Sequence, residues 1–160
     1  MMVKTIRSDW YFMIPASLVF FSALIITWWD FVKIHELIFH MNLINVLGLF
    51  LFVIGIVIRR IGKRTLGKYY TYSLKTLENH ELITHGIYKH VRHPISLAMF
   101  MYSIGIPLIF TSFYGFLIML MLIPLTLYRI EIEEKMLIEK FGDEYRDYMT
   151  KTKKIIPFIC

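Results

Sequence analysis

Long apolar stretches alternate with short polar connections along the chain, and their lengths indicate helices that cross a membrane. A helix needs about 20 mainly apolar residues to span a hydrocarbon core of roughly 30 Å. Four stretches approach this requirement, and they cover residues 11–29, 41–58, 94–110 and 113–128. Only two residues separate the last two stretches, so we expect a tight helical hairpin there. The pattern predicts an all-α, multi-pass transmembrane bundle, forming a single domain over residues 1–160.

The second stretch differs from the others because polar and small residues interrupt it. Asn42, Asn45, Gly48 and Gly55 recur along it. Residues of this kind allow helix backbones to approach closely inside a membrane. They predict that the second helix packs tightly against another helix of the bundle.

The tail after the fourth stretch mixes charged with apolar residues and is predicted to be an amphipathic helix that leaves the membrane. Gly142 is expected to interrupt this helix. The lysines beyond it, Lys151, Lys153 and Lys154, are expected to lie among anionic lipid headgroups.

The distribution of lysine and arginine predicts the orientation of the bundle. Two basic residues precede the first span, one lies between the first two spans, and none lies in the hairpin turn. Eight fall in the connection 59–93, and seven fall in the tail from residue 129 onwards. Because short loops rich in lysine and arginine stay on the cytoplasmic side, we expect both termini and the central connection to face the cytoplasm.

The composition supports a membrane protein and argues against other classes. Hydrophobic residues make up 57% of the chain and mean hydropathy is +0.57, which is more apolar surface than a small soluble fold can hide. The net charge of +6 forms no basic stripe clear of the spans, so membrane lipids rather than nucleic acid are the expected partners. The single cysteine, Cys160, excludes a disulfide within the chain. No small-residue cleavage site follows the first span, which we expect to be retained.

Two groups of titratable residues flank the last two spans and are expected to meet on the cytoplasmic face. Arg92 and His93 precede Pro94, a residue that suits the first turn of a helix. The unpaired amides of that turn would favour an anion beside them. The alternative is that Arg92 and His93 only anchor the helix in the headgroups. Arg129 and Glu133 are four residues apart, so they share a helix face and can pair.

The position of these acidic residues argues against a simple surface salt bridge. Glu134 points about 100° away from Glu133 and can address a different partner. The charged residues begin directly after an apolar run, where partial burial perturbs protonation. His80 and His85 lie on either side of a four-residue segment. Their spacing matches no metal-ligand pattern, and we expect no metal site.

The ordered set of motifs in the second half of the chain is the most specific signal. It comprises Gly86, Tyr88, Arg92, His93, Pro94, Arg129, Glu133, Glu134, Phe141, Gly142, Tyr145 and Pro157. In order and spacing, this set resembles the isoprenylcysteine carboxyl methyltransferase and phospholipid N-methyltransferase superfamily of integral membrane enzymes. The resemblance covers the chain from about residue 60 to residue 160.

The resemblance implies an S-adenosylmethionine-dependent methyltransferase that acts on a lipidic acceptor, such as an isoprenylcysteine carboxylate or a phospholipid amine. No Gly-x-Gly motif of a nucleotide-binding domain follows a strand-like run, which agrees with this class. Carried over by position, cofactor contacts fall on His80, Glu81, Leu82, Ile83, Tyr88, His93, Pro94, Ile95, Ser96 and Glu134. Contacts to the methyl acceptor fall on Arg129 and Glu133.

Two departures from the superfamily bear on the substrate class rather than on methyl transfer. The superfamily usually has tyrosine where this chain has Ser96, and often glycine where it has Ala98. A carboxylate acceptor would pair with Arg129, whereas an amine acceptor would give its proton to Glu133 or Glu134.

Two other classes remain open at this point. The resemblance extends to NADPH-dependent membrane sterol reductases, although this chain is short for them. A small membrane scaffold, in which the charged clusters only anchor helices, is the non-enzymatic alternative. Nothing in the sequence indicates an oligomeric state.

Overall fold

The computed structural model describes residues 8–34, 41–70 and 81–155, and most of these residues are helical. Six α-helices follow one another along this part of the chain: α1 Ser8–Ile34, α2 Leu43–Leu66, α3 Pro94–Ile109, α4 Phe113–Leu120, α5 Leu122–Phe141 and α6 Asp143–Lys151. Two short 3-10 helices, Gly67–Tyr69 and Gly86–Lys89, lie in the connection between α2 and α3. The predicted all-α class is confirmed.

Three segments are long and apolar enough to cross a membrane: Trp10–Lys33, Leu43–Leu66 and Phe113–Phe141. The last combines α4 and α5, which are interrupted only at Met121. The helix of the third predicted stretch, α3, has 16 residues and is about 24 Å long at the usual rise per residue. It is therefore shorter than a full span. The chain is an integral membrane protein built as a helical bundle.

Charged segments continue two of the membrane helices. The second helix was expected to end at residue 58 but runs to Leu66. The predicted tail helix is continuous with α5 and ends at Phe141, so its expected interruption at Gly142 is confirmed. The charged residues Arg, Lys and Glu end a span without ending a helix, since their helix propensities are high. The first charged residues of the connection and of the tail therefore lie on helices.

Helices α2 and α3 pack backbone to backbone. A Cβ atom at Gly48 would lie 2.6 Å from the amide nitrogen of Ile109, and one at Gly55 would lie 3.0 Å from the carbonyl oxygen of Ala98. Asn45 donates from Nδ2 to the carbonyl oxygen of Ile109 at 2.7 Å. The predicted close packing of α2 is confirmed for these residues.

Helix α1 packs on α4 and on the start of α5 through an apolar cluster formed by Ala23, Met119 and Leu122. Two turns further along α1, buried Asp30 accepts a hydrogen bond of 2.5 Å from Oγ of Ser112, which caps the start of α4. The hydroxyl of Thr27 is buried beside it and has no hydrogen-bond partner among the residues described. We call Thr27, Asp30 and Ser112 the hairpin-end cluster, because Ser112 lies in the turn between α3 and α4.

The chain reverses after α5 and returns to the start of α3. Gly142 has a φ of 57°, a left-handed conformation that glycine adopts readily, and α6 follows it directly. Beyond α6, residues 152–155 pair in parallel with residues 90–93: the amides of Arg92 and His93 donate to the carbonyl oxygens of Lys153 and Lys154 at 2.8 and 3.1 Å. We call residues 152–155 the C-terminal strap.

Candidate active site

The cytoplasmic side of the predicted topology carries a cluster of charged side chains at the start of α3. Tyr88 lies in the 3-10 helix Gly86–Lys89, and His93 is the residue before Pro94, the first residue of α3. Proline suits this position because the first helical N–H has no partner within the helix. The short 3-10 helix and the start of α3 therefore place Tyr88 and His93 at one end of the bundle, beside α5.

Glu134 is the centre of the cluster and is buried, with 6% of its surface exposed. Its Oε1 lies 2.9 Å from Nε of Arg92 and 3.3 Å from Nε2 of His93. Its Oε2 lies 3.2 Å from Nζ of Lys154 in the C-terminal strap. A buried carboxylate is stable only when charges and hydrogen bonds compensate it, and three side chains from two segments of the chain supply them here.

Arg92 also ties the strap to the cluster. Its Nη1 donates to the carbonyl oxygens of Met149 and Thr152 at 3.1 and 2.5 Å, which satisfies carbonyl groups at the end of α6. The side chains of Arg92 and His93 are 8% and 4% exposed. The interpretation of these two residues as headgroup anchors is therefore wrong, and so is that expectation for Lys154, because all three side chains turn inward to acidic partners.

The predicted acceptor residues Arg129 and Glu133 lie on α5 near this cluster. Oε2 of Glu133 lies 3.7 Å from Nδ1 of His93, and 40% of the Glu133 side chain is exposed. The imidazole of His93 thus lies between a buried and a partly open carboxylate. The guanidinium of Arg129 lies over the ring of Phe12 in α1, 4.8 Å from its centroid. The pairing of Arg129 with Glu133 stays a prediction.

Three buried tyrosines form the apolar side of the site. Oη of Tyr148 donates to the carbonyl oxygen of Tyr88 at 2.6 Å, and the hydroxyl of Tyr145 is buried without a hydrogen-bond partner in the described part of the chain. Burial raises the pKa of Tyr88 and Tyr145, and nearby glutamates, Glu133 and Glu134 respectively, add to it. Burial also raises the pKa of Tyr148 to about 12. All three phenols are neutral at physiological pH.

The remaining predicted cofactor residues lie along the approach to α3. Glu81 is exposed, Leu82 and Ile83 are half-buried, and in the first turn of α3 Pro94 is buried while Ile95 and Ser96 are half-buried. His80 lies outside the described residues. Ala98, one of the two departures, is fully buried and contacts α2, whereas Ser96 is on the first turn beside the cluster.

Sequence reasoning missed the roles of Tyr148 and Lys154. Tyr145 belongs to the set of motifs that carries the resemblance, but no role was assigned to it. Lys154 makes an ion pair with Glu134 that the sequence did not predict. A signal for the tyrosines existed, because Tyr145 and Tyr148 are three residues apart in an otherwise charged helix and so share one face. No local pattern distinguishes Lys154 from its lysine neighbours.

Known proteins resemble this chain over a region that contains most of these residues. Residues 46–139 match the family model described as the isoprenylcysteine carboxyl methyltransferase (ICMT) family. The protein-S-isoprenylcysteine O-methyltransferase of Saccharomyces cerevisiae is 35% identical over 121 residues, which cover 74% of this chain and 51% of that protein. That of Xenopus laevis is 29% identical over 160 residues, covering 92% and 54%.

A solved structure shows the same architecture. The eukaryotic intramembrane Ras methyltransferase ICMT matches with a TM-score of 0.76 and 27% identity, over 89% of this chain and 52% of that one. The chain therefore spans about half the length of these relatives. The matched family region contains Tyr88, Arg92, His93, Arg129, Glu133 and Glu134.

Proposed function

This chain belongs to the isoprenylcysteine carboxyl methyltransferase family, and from that premise we propose that it transfers a methyl group from S-adenosylmethionine to the carboxylate of an isoprenylcysteine-like, membrane-held acceptor. One observation carries the proposal. The family region includes His93, Glu133 and Glu134, and the structure brings these three side chains into contact. The positions of these residues in the sequence do not by themselves require this contact.

The residues around His93 fit the polar groups of S-adenosylmethionine. The first amides of α3 have no partner within the helix and favour a carboxylate. We assign the cofactor side to Glu81, Leu82, Ile83, Tyr88, His93, Pro94, Ile95, Ser96 and Glu134, together with His80. When bound, the cofactor supplies a methyl group activated on a positively charged sulfur.

Arg129 and Glu133 are assigned to the methyl acceptor. A guanidinium binds a carboxylate through two parallel hydrogen bonds, and the ring of Phe12 lies against the guanidinium of Arg129. A carboxylate acceptor is already ionised at neutral pH, so no base is needed. The residues have to align the reactants and exclude water, which lowers the barrier substantially.

The environment of Glu134 removes one of the two candidate bases for an amine acceptor. An amine must lose a proton before it attacks, so it needs a free carboxylate as base. Both oxygens of Glu134 already contact cationic side chains, which leaves Glu133 as the one member of the pair able to serve. The apolar outer faces of the helices let a lipid tail stay in the bilayer while its carboxylate enters between them.

The direct test uses the purified chain in lipid nanodiscs with S-adenosylmethionine labelled in its methyl group. N-acetyl-S-farnesylcysteine is the expected acceptor, and the label should appear as a base-labile methyl ester. Phosphatidylethanolamine is offered in parallel. Label on the phospholipid nitrogen would contradict the carboxylate assignment.

Cofactor binding separates the proposal from the other classes. S-adenosylhomocysteine should bind and NADPH should not. Preferential binding of NADPH would indicate a reductase, and binding of neither ligand, with no labelled product, would leave a non-catalytic scaffold.

We also propose that both termini face the cytoplasm. The single cysteine, Cys160, reports on the C-terminal end in the unmodified chain. A membrane-impermeant maleimide added to intact cells should label it only after permeabilisation. Labelling in intact cells would place the C-terminal end outside and contradict this topology.

A further inference from the structure

Two adjacent lysines in the C-terminal strap have opposite environments. The Lys154 side chain is 32% exposed and its Nζ lies 3.2 Å from Oε2 of Glu134, whereas Lys153 is exposed. Their main chains both pair with the segment before α3. Successive side chains of an extended segment point to opposite sides, so the pairing of the strap fixes which lysine faces Glu134.

The two oxygens of Glu134 divide their partners between them. Oε1 contacts Arg92 and His93, while Oε2 contacts Lys154. The terminal torsion of a glutamate has a broad energy profile, so this carboxylate needs contacts on both oxygens to keep one orientation. Without Lys154, the polar Oε2 would lose its nearest charge partner inside the protein, where an uncompensated charge is costly.

The orientation of Glu134 bears directly on His93. Nε2 of His93 contacts Glu134 at 3.3 Å and Nδ1 faces Glu133 at 3.7 Å. A hydrogen-bonding partner on one ring nitrogen sets the rotation of the imidazole and the tautomer at the other nitrogen. A change at Oε2 of Glu134 is therefore passed to the face of His93 that meets the open part of the site.

We propose that Lys154 is a positioning residue for cofactor binding: through Glu134 it holds the His93 imidazole in its binding orientation. This inference rests on the proposed function, which assigns His93 to the cofactor. It extends the site beyond the matched family region, which ends at residue 139, into the strap. The strap thereby contributes to cofactor affinity and not only to stability.

The test compares Lys154→Gln with Lys153→Gln, which removes the same charge from the next residue. Binding of S-adenosylhomocysteine to the full chain in nanodiscs is measured by isothermal calorimetry. Loss of a residue that orients a metal-bound histidine weakens metal binding by about tenfold or more, and we expect an effect of this size for a histidine that binds the cofactor. We therefore expect a dissociation constant about tenfold higher for Lys154→Gln, less than about twofold higher for Lys153→Gln, and recovery in Lys154→Arg, which keeps the charge.

Two further measurements separate positioning from a general structural effect. In turnover assays, Lys154→Gln should raise KM for S-adenosylmethionine by about the same factor as the dissociation constant and change kcat less. In a His93→Gln background, where no imidazole remains to be oriented, adding Lys154→Gln should weaken binding less than about twofold.

The possible outcomes distinguish a failure of this inference from a failure of the proposed function. If the unmodified chain does not bind S-adenosylhomocysteine, the proposed function fails and this inference fails with it. If it binds, and Lys154→Gln lowers thermal stability but leaves affinity unchanged, only the role of Lys154 is overturned. An equal tenfold loss in both the His93 and His93→Gln backgrounds would likewise show that Lys154 does not act through His93.

Discussion

The bundle holds buried carboxylates at both ends of α3, and their surroundings differ. At the hairpin end, Asp30 accepts from Ser112 at 2.5 Å, and no basic side chain pairs with it within residues 8–34, 41–70 and 81–155. At the other end, Glu134 contacts Arg92, His93 and Lys154. The two carboxylates are similarly buried, with 4% and 6% of their surfaces exposed.

The difference shows that burial of an ionisable group does not by itself mark a functional site. Asp30 joins α1 to the turn before α4 through one hydroxyl, which is a structural connection between two helices. Glu134 gathers side chains from the segment before α3 and from the strap, and it lies beside the partly open Glu133. Convergence of several elements, next to an accessible polar group, is what distinguishes the second cluster.

The largest effect is expected at that accessible group. Replacing Glu133 with Gln should lower the rate of methyl ester formation by about 10²–10³-fold, as removal of one positioned polar group at a reacting centre does. Glu131 is exposed on the same helix, and Glu131→Gln is the matched control with an expected change below about twofold. Equal rates for the two variants would remove Glu133 from the site.

Replacing each of the two buried carboxylates with its amide compares their contributions to the free energy of unfolding. Glu134→Gln leaves two cationic side chains without their common anion, and breaking a buried ion pair costs about 3 kcal/mol or more of unfolding free energy. Asp30→Asn keeps an oxygen that accepts from Ser112 and removes a buried charge, so its cost should stay below about 1 kcal/mol. Denaturation of both variants in the same detergent measures the difference. Comparable losses would mean that the two clusters are alike.

Two glycines on α2 allow helix packing at the hairpin end to be compared with helix packing at the candidate site. A Cβ at Gly48 would lie 2.6 Å from the backbone nitrogen of Ile109, near the hairpin end. A Cβ at Gly62 would lie 3.1 Å from Cγ1 of Ile95, near the candidate site. Gly48→Ala forces two backbones apart and should cost about 2 kcal/mol, with cofactor affinity unchanged.

Gly62→Ala should show the reverse pattern. The side chain of Ile95 can shift by a few tenths of an ångström, so stability should fall by less than about 1 kcal/mol, while the affinity for S-adenosylhomocysteine falls severalfold. Thermal unfolding and binding of both variants give the four values needed. A loss of affinity in Gly48→Ala alone would reverse the assignment of the two ends.

Hydropathy predicted the membrane-spanning segments because lipid imposes one strong requirement, which is a long apolar helix. It placed the end of α2 too early, since Arg59 continues the helix in which it lies, whereas the helical tail and its interruption at Gly142 were predicted. The chemistry of the site was predictable only by resemblance. The sequence left open whether Arg92 anchors the helix in the headgroups or belongs to the site, because its contact with Glu134 depends on a pairing between residues 42 positions apart.

The strap could not be predicted for a related reason. The lysines after α6 have the composition of a solvated or headgroup-facing run, and their composition carries no information about direction. The inward position of Lys154 follows from the backbone hydrogen bonds between residues 90–93 and 152–155. Tertiary contact, rather than local pattern, makes it part of the site.

The smallest effect is expected for an exposed ion pair near the strap, which serves as a control for the contact between Lys154 and Glu134. Lys151 pairs with Asp147 one turn earlier in α6, and both side chains are more than 60% exposed. Exposed pairs of this spacing contribute less than about 0.5 kcal/mol because water and salt screen them. Lys151→Gln should therefore leave stability and cofactor affinity within error of the unmodified chain at 150 mM salt. Because this variant removes the same charge as Lys154→Gln three residues away, a comparable loss of affinity would assign the effect to net charge on the tail and not to the contact with Glu134.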